Sequence, residues 1–317
     1  MRSLLRTAAG AAAMVALVGS CGFGTSQLGT GQLDAAAFVG ATKIPLGQVH
    51  GQLVSVLAKE GPQVRTELAA DHQLGDLSRK ILTVRIRHQL LEIAARRAGL
   101  TVDQAQVNRL IKEAGGAEAG SKGTIFDANS YRQRAKDQLL MAALGRLVLR
   151  NSAVTVDYTT ADTRTAAKQR VEQLSQAGAM RARQSIDADV RAGKDAELDK
   201  RIVASDDPIF ATTPAFGVTA GTVVAFQLSD NTPWVIMMVT NRTNHGAQPS
   251  VHAPHFDQID PAVLEAIGLR QLGPVAQELG VRLSPRYGVW DPVNLQVVPD
   301  VNETSGFLAP LRVARRG

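Results

Sequence analysis

One stretch of about two dozen residues limits what this chain can become. Between residues 74 and 99, apolar side chains recur at Leu77, Ile81, Val84, Leu91, Ala95 and Ala98, the spacing of a helix with a buried stripe. A second row, Leu82, Ile86, Leu90 and Ile93, widens that stripe until the helix needs cover on more than one side. Asp76 is positioned to cap its start and Gly99 to stop it. Thr101 and Gln104 then fit a capping box. The next helix carries Val107, Leu110, Ile111 and Ala114 up to Gly115 and Gly116. The two make a helical hairpin that cannot bury its own surface, so the rest of the chain must cover it.

The N-terminus is no part of that cover. Arg2 and Arg6 precede a short apolar run (TAAGAAAMVALV), well below the roughly 20 residues that span a bilayer. It reads as an export signal. Val18-Gly19-Ser20 then leads into Cys21, the one cysteine of the chain. This resembles a bacterial lipobox, which implies a signal peptide over 1–20 and a lipid on Cys21. Stable anchoring takes more than one acyl chain, so the expected location is the cell envelope, lipid-anchored to the outer face of the cytoplasmic membrane. A lone acylated cysteine leaves no disulfide to form. The net charge of +6 then suits anionic lipid or wall polymer. Nucleic acid is not expected as a partner, since no binding motif accompanies the charge.

Residues 21–34 are rich in Gly, Ser, Thr and Gln and read as a flexible tether. A short extended piece around Phe38 to Ile44 precedes a helix over 46–59, with Val49, Leu53, Val56 and Leu57 inward. Asp127 caps a long helix ending near Asn151, with Tyr131, Ala135, Leu139, Ala142 and Leu147 available to pack. From Ala153 the texture changes. VTVDYT alternates as a strand does, a charged helix covers 163–177, and 187–203 reads as further polar helix. GTVVAFQL and WVIMMVTNRT, joined by a Ser-Asp-Asn-Thr-Pro turn, read as a β-hairpin. A last helix over 260–279 offers Val263, Leu264, Ile267, Leu272 and Val275, and 299–317 is expected to be disordered.

The passage AARRAGLTVDQAQVNRLI, with Ala94, Gly99, Leu100, Thr101, Val102, Asp103 and Val107, resembles the hallmark of the N-terminal domain of SurA/PrsA-type envelope foldases. The resemblance covers about 38–150. It implies a mainly α fold with a smaller α+β part: a helical chaperone domain over 35–152, completed by the C-terminal helix within 246–298. The segment 153–245 stands where the family carries a parvulin-type prolyl isomerase domain. Parvulins place a histidine on the first strand and another on the last. Here Val235 occupies the latter place, and Val156-Asp157-Tyr158 has none. That implies a degenerate, non-catalytic insert, with an active isomerase as the rival reading.

Other chemistries find no motif: no nucleophile elbow, phosphate loop, cysteine pair or HExxH. His252 and His255 are poorly spaced to hold a metal, His88 reads as packed or solvated, and Asp206 with Asp207 reads as a turn. No cofactor or metal is expected. What remains is an anchor and a large apolar and basic helical surface, suited to holding unfolded exported proteins without nucleotide. Val84, Leu90, Ile93, Leu140 and Leu147 are the residues expected to meet such clients. The alternative is a scaffold or adaptor lipoprotein with one envelope assembly partner.

Overall fold

The computed structural model describes residues 34–59, 62–70, 73–246 and 258–312. The export signal, Cys21, the tether to residue 33 and the pair His252 and His255 lie outside those residues.

Strand β1 (Ala35–Val39) turns back at Gly40, whose φ of 58° favours glycine, onto β2 (Thr42–Pro45). Helices α1 (Leu46–Lys59) and α2 (Pro62–Ala70) lead to α3 (Gln73–Arg97). The two apolar rows of α3 are consumed as their width requires: Ile81, Leu82, Ile86, Leu90 and Leu91 are all fully buried. Gly99 ends the helix in the left-handed region. Its N–H donates to Arg96 O (3.1 Å), and that of Leu100 donates to Ala95 O (2.9 Å), closing a Schellman motif.

Two local expectations change here. Asp76 lies within the first turn of α3, paired with Arg79, rather than before it. Helix α4 (Gln104–Glu113) is capped by Asp103, which accepts from Ala105 N (3.0 Å), while the Gln104 amide turns forward to Asn108. A carboxylate adjacent to the helix start takes the orphan N–H before Thr101 can. Nor do α3 and α4 form a closed pair. After the short α5 (Ala117–Ser121), Val107 and Ile111 of α4 pack with Phe126 and with Tyr131 and Ala135 of α6 (Ala128–Asn151). Asp127 caps α6 as expected: it accepts from Ser130 N at 2.7 Å, and Ser130 Oγ accepts from Asp127 N at 2.9 Å.

The second half begins with β3 (Ala153–Ala161), followed by α7 (Arg164–Ala177) and α8 (Ala179–Arg191). Of the stretch expected as polar helix, 187–203, the first part is helical as the end of α8, and the rest becomes β4 (Ala196–Val203), whose exposure alternates with strand period. Two 3-10 turns (Phe210–Thr212 and Pro214–Gly217) precede β5 (Thr222–Gln227) and β6 (Trp234–Thr243), the expected hairpin.

The expected C-terminal helix divides at Gln271 into α9 (Pro261–Arg270) and α10 (Leu272–Leu279). α9 lies along α6, and α10 lies against α3. Leu272 therefore joins the core around α3, whereas Ile267 joins the one beneath the sheet. β7 (Val281–Leu283) pairs antiparallel with β1, giving a three-stranded sheet β2-β1-β7. β8 (Val289–Asp291) and β9 (Gln296–Val298) form a small hairpin.

Residues 299–312 are ordered, where disorder was expected over 299–317. β10 (Phe307–Pro310) pairs with β5 and completes an antiparallel sheet in the order β10-β5-β6-β3-β4. Phe307 stacks on Trp234 at 5.7 Å, and the Arg164 guanidinium lies over both rings. Such contacts have no periodicity for a sequence to display. Helices α7 and α8 cover one face of this sheet, while the 3-10 turns and α9 cover the other.

Candidate functional site

The helical part leaves a groove open between α1, α3 and the first half of α6. It encloses about 350 Å³, with Ile44, Val84 and Phe126 as apolar lining and Lys43, Arg85 and Arg134 as cations. A smaller recess of about 130 Å³ shares Val84, Phe126 and Arg134 with it and reaches Met141 and Glu265 of α9.

His88 stands at their junction. Its Nδ1 lies 3.0 and 3.1 Å from the two carboxylate oxygens of Asp137, and its Nε2 lies 3.6 Å from Glu92. The Gln133 amide donates to Asp137 at 2.7 Å. Burial works against a charge on His88, but the carboxylates of Asp137 and Glu92 outweigh it, so its pKa stands above the usual histidine value. The ring thus ties α3 to α6 between two acids. Arg134 lies 5.5 Å from the ring centres of both Phe126 and Tyr131, a cation–π arrangement. Arg85 donates to Gln48 (3.0 Å), its Nε is buried with no acceptor, and burial lowers its pKa despite the field of Asp127. Burial raises the Glu265 carboxyl, although Gln138 donates to it at 2.6 Å.

A second cleft, about 530 Å³, opens where the C-terminal ends of α3 and α6 face β6 and α10. Leu144, Leu147, Val148 and Val275 line it together with Arg242 and His245. The residues expected to meet clients therefore separate. Val84 lines the groove and Leu147, 37% exposed, lines the cleft. Ile93 is half-buried against the core of α3. Leu90 and Leu140, expected to meet clients, are instead core residues, 0% and 4% exposed. The chain's own C-terminal segment covers the face they belong to. Phe126, His88, Arg85 and Arg134 escaped the sequence reading as site residues. The readable signal was paired i, i+4 spacing: His88 with Glu92 on one helix, Gln133 with Asp137 on the other.

Three buried arginines fasten the later chain around these openings. Arg87 donates to the carbonyls of Leu295 (2.8 Å) and Asn294 (2.9 Å), Arg270 to those of Thr212 (2.5 Å) and Val293 (2.8 Å), and Arg242 to those of Phe216 (2.7 Å) and Val218 (3.1 Å). Burial pushes each pKa down to about 10. Buried Asp291 offsets part of this for Arg87 and Arg270. Its oxygens accept from the backbone N–H groups of Val293 (2.9 Å) and Ser305 (2.9 Å). Asp291 thus organises the turn after β8 whose carbonyls Arg87 and Arg270 hold.

In the sheet, Val235 packs into the apolar cluster that includes Phe216 and Phe226. Asp157 on β3 is fully buried, 3.1 Å from Arg183, and accepts from Asp199 N at 2.8 Å. These positions are built into packing and an ion pair. Among the described residues no cluster of three or more His, Cys, Asp or Glu is placed to hold a metal.

Residues 1–144 match the family model of the SurA-like N-terminal domain. The match supports a family of the SurA/PrsA type. The mixed architecture, mostly helical with antiparallel sheets, agrees with it. The SurA-like family is a chaperone-type one of the periplasm and envelope, and its members bind unfolded proteins in general. No curated protein matches the chain. No helix among the described residues is long and apolar enough to cross a membrane.

Proposed function

We propose that this protein is an envelope chaperone that holds unfolded exported chains without nucleotide, anchored through a lipid on Cys21 and without prolyl isomerase activity. The observation that carries the reading is the α3–α6 groove of the SurA-like domain, where half-buried Val84 and the edge of Phe126, itself 9% exposed, form an apolar lining beside Arg85 and Arg134. Such a surface takes up apolar segments of a disordered chain weakly, because ordering the client opposes binding. Lowering the X-Pro barrier of about 18–20 kcal/mol needs a polar pocket around the proline amide, and Val235 sits in apolar packing instead.

The test uses the full chain in detergent micelles with several unrelated unfolded proteins. Their aggregation should be suppressed, Val84→Glu should reduce the effect with circular dichroism unchanged, and a short X-Pro peptide should isomerise at its background rate. Cys21→Ala should release the protein from the membrane fraction. One observation favours a second reading, an adaptor for a fixed envelope partner. The large exposed apolar side chains, among them Val54, Met180, Ile209 and Leu228, lie on separate elements rather than in one patch. A folded protein that leaves every client to aggregate, yet retains one folded envelope protein, would establish the adaptor.

A further inference from the structure

Lys43, Arg85 and Arg134 line the α3–α6 groove against one lining carboxylate, Asp137, while Asp127 acts on Arg85 and Glu265 on Arg134 from outside its lining. Lys43 is paired with Asp34, and His88 is held between Asp137 and Glu92. Among the described residues, the ion pairs involve neither Arg85 nor Arg134. Arg85 is the more telling. Its guanidinium is half-buried and desolvated, and its Nε–H is enclosed with no acceptor. The enclosed Nε fixes the guanidinium in place and Nη1 is taken by Gln48, which leaves Nη2 as the donor that a carboxylate entering the groove can reach. Arg134 lies across the Phe126 and Tyr131 rings and shares the smaller recess with Glu265, whose carboxyl it lowers without forming an ion pair. Val84 and Phe126 supply apolar contact beside both cations.

We infer that the groove selects, among unfolded segments, those with an Asp or Glu beside a large apolar residue: the carboxylate goes to Arg85 and Arg134, and the apolar side chain to Val84 and Phe126. This rests on the holding function proposed above and names its preferred segment. The occupant is committed by charge complementarity. An arginine fork matches a carboxylate in two-point geometry and cannot lose its proton at neutral pH. A lysine-bearing segment would bring like charge to the same wall.

The experiment measures fluorescence polarisation of the full chain in uncharged detergent with three labelled extended peptides, identical but for one residue beside a central Phe: Glu, Gln or Lys. The Glu peptide should bind about tenfold tighter than the Gln peptide, which corresponds to roughly 1.4 kcal/mol, and the Lys peptide weaker than either. Arg134→Gln and, separately, Arg85→Gln should each narrow the Glu–Gln gap to about twofold or less. Should either variant lose its circular dichroism, the three-peptide ranking on the unaltered chain still decides. Equal affinity for the Glu and Gln peptides would overturn the carboxylate preference and leave the holding function standing. Failure to bind any of the three would remove the holding function with it.

Discussion

Gly145 on α6 and Gly268 on α9 face the backbone of each other's helix. A Cβ on Gly145 would lie 2.0 Å from Leu264 O, and a Cβ on Gly268 would lie 1.9 Å from Met141 O. Gly145→Ala is therefore a sharp probe of whether the C-terminal helices really complete the N-terminal core. In an open helix the change would be favourable by about 0.8–1.0 kcal/mol, since glycine is the poorer helix former. Here an ordinary contact of 3.4 Å from the present 2.0 Å requires α9 to move off by about 1.4 Å. The obstructing atom is a main-chain carbonyl, which has no rotamer to escape into. Overpacking in such a place costs about 1–3 kcal/mol. The upper end applies, so after the gain in helix propensity the net loss should be about 2 kcal/mol. Urea unfolding followed by circular dichroism should show a lower midpoint with an unchanged slope. Gly51→Ala on α1, where nothing lies within 4 Å of the added atom, supplies the control and should stabilise by up to about 1 kcal/mol. Were Gly145→Ala to stabilise the protein as Gly51→Ala does, the close crossing of α6 and α9 would be disproved.

Three further outcomes are expected. Arg270→Leu leaves the carbonyls of Thr212 and Val293 without their charged donor and should lower stability by at least about 1.5–3 kcal/mol, the range for a single hydrogen bond to a charged group, measured by the same unfolding. The folded-state pKa of His88 is raised, so its contribution is complete below the unfolded value of about 6.5 and is lost as pH rises through the folded value. His88→Asn should flatten that decline when urea midpoints are measured from mildly acidic to mildly alkaline pH. Removing residues 305–317 takes away β10 and uncovers the edge of β5, and should produce concentration-dependent association in light scattering.

Much of the helical part was legible because helices announce themselves by period. α1, α3 and α6 fall where their apolar spacing puts them, and Asp127 and Gly99 act as the punctuation they resemble. Periodicity measures how wide an apolar face is, not what covers it. Leu90 and Leu140 were assignable to a face, but their cover comes from residues far along the chain. β4 was misread because AELDKRIV carries charge on both phases of its alternation, with Asp199 at a φ of 55° interrupting it. The site was less visible still. The groove depends on how α1, α3 and α6 are spaced, and Arg85 acquires its unmet donor only through burial.

The pairing of β1 with β7 has a consequence for the order in which the molecule can be made. Residues 35–39 wait for 281–283 to finish their sheet, and the Gly40 N–H waits for Gly280 O. A chain emerging with its amino end first leads with the very strand whose partner arrives almost last. Contacts this distant in sequence slow folding, and partial chains meanwhile expose unpaired edges. The helical core and the closing of its first sheet are thus separate events in time, with the sheet complete only when the final ninth or so of the polypeptide has joined.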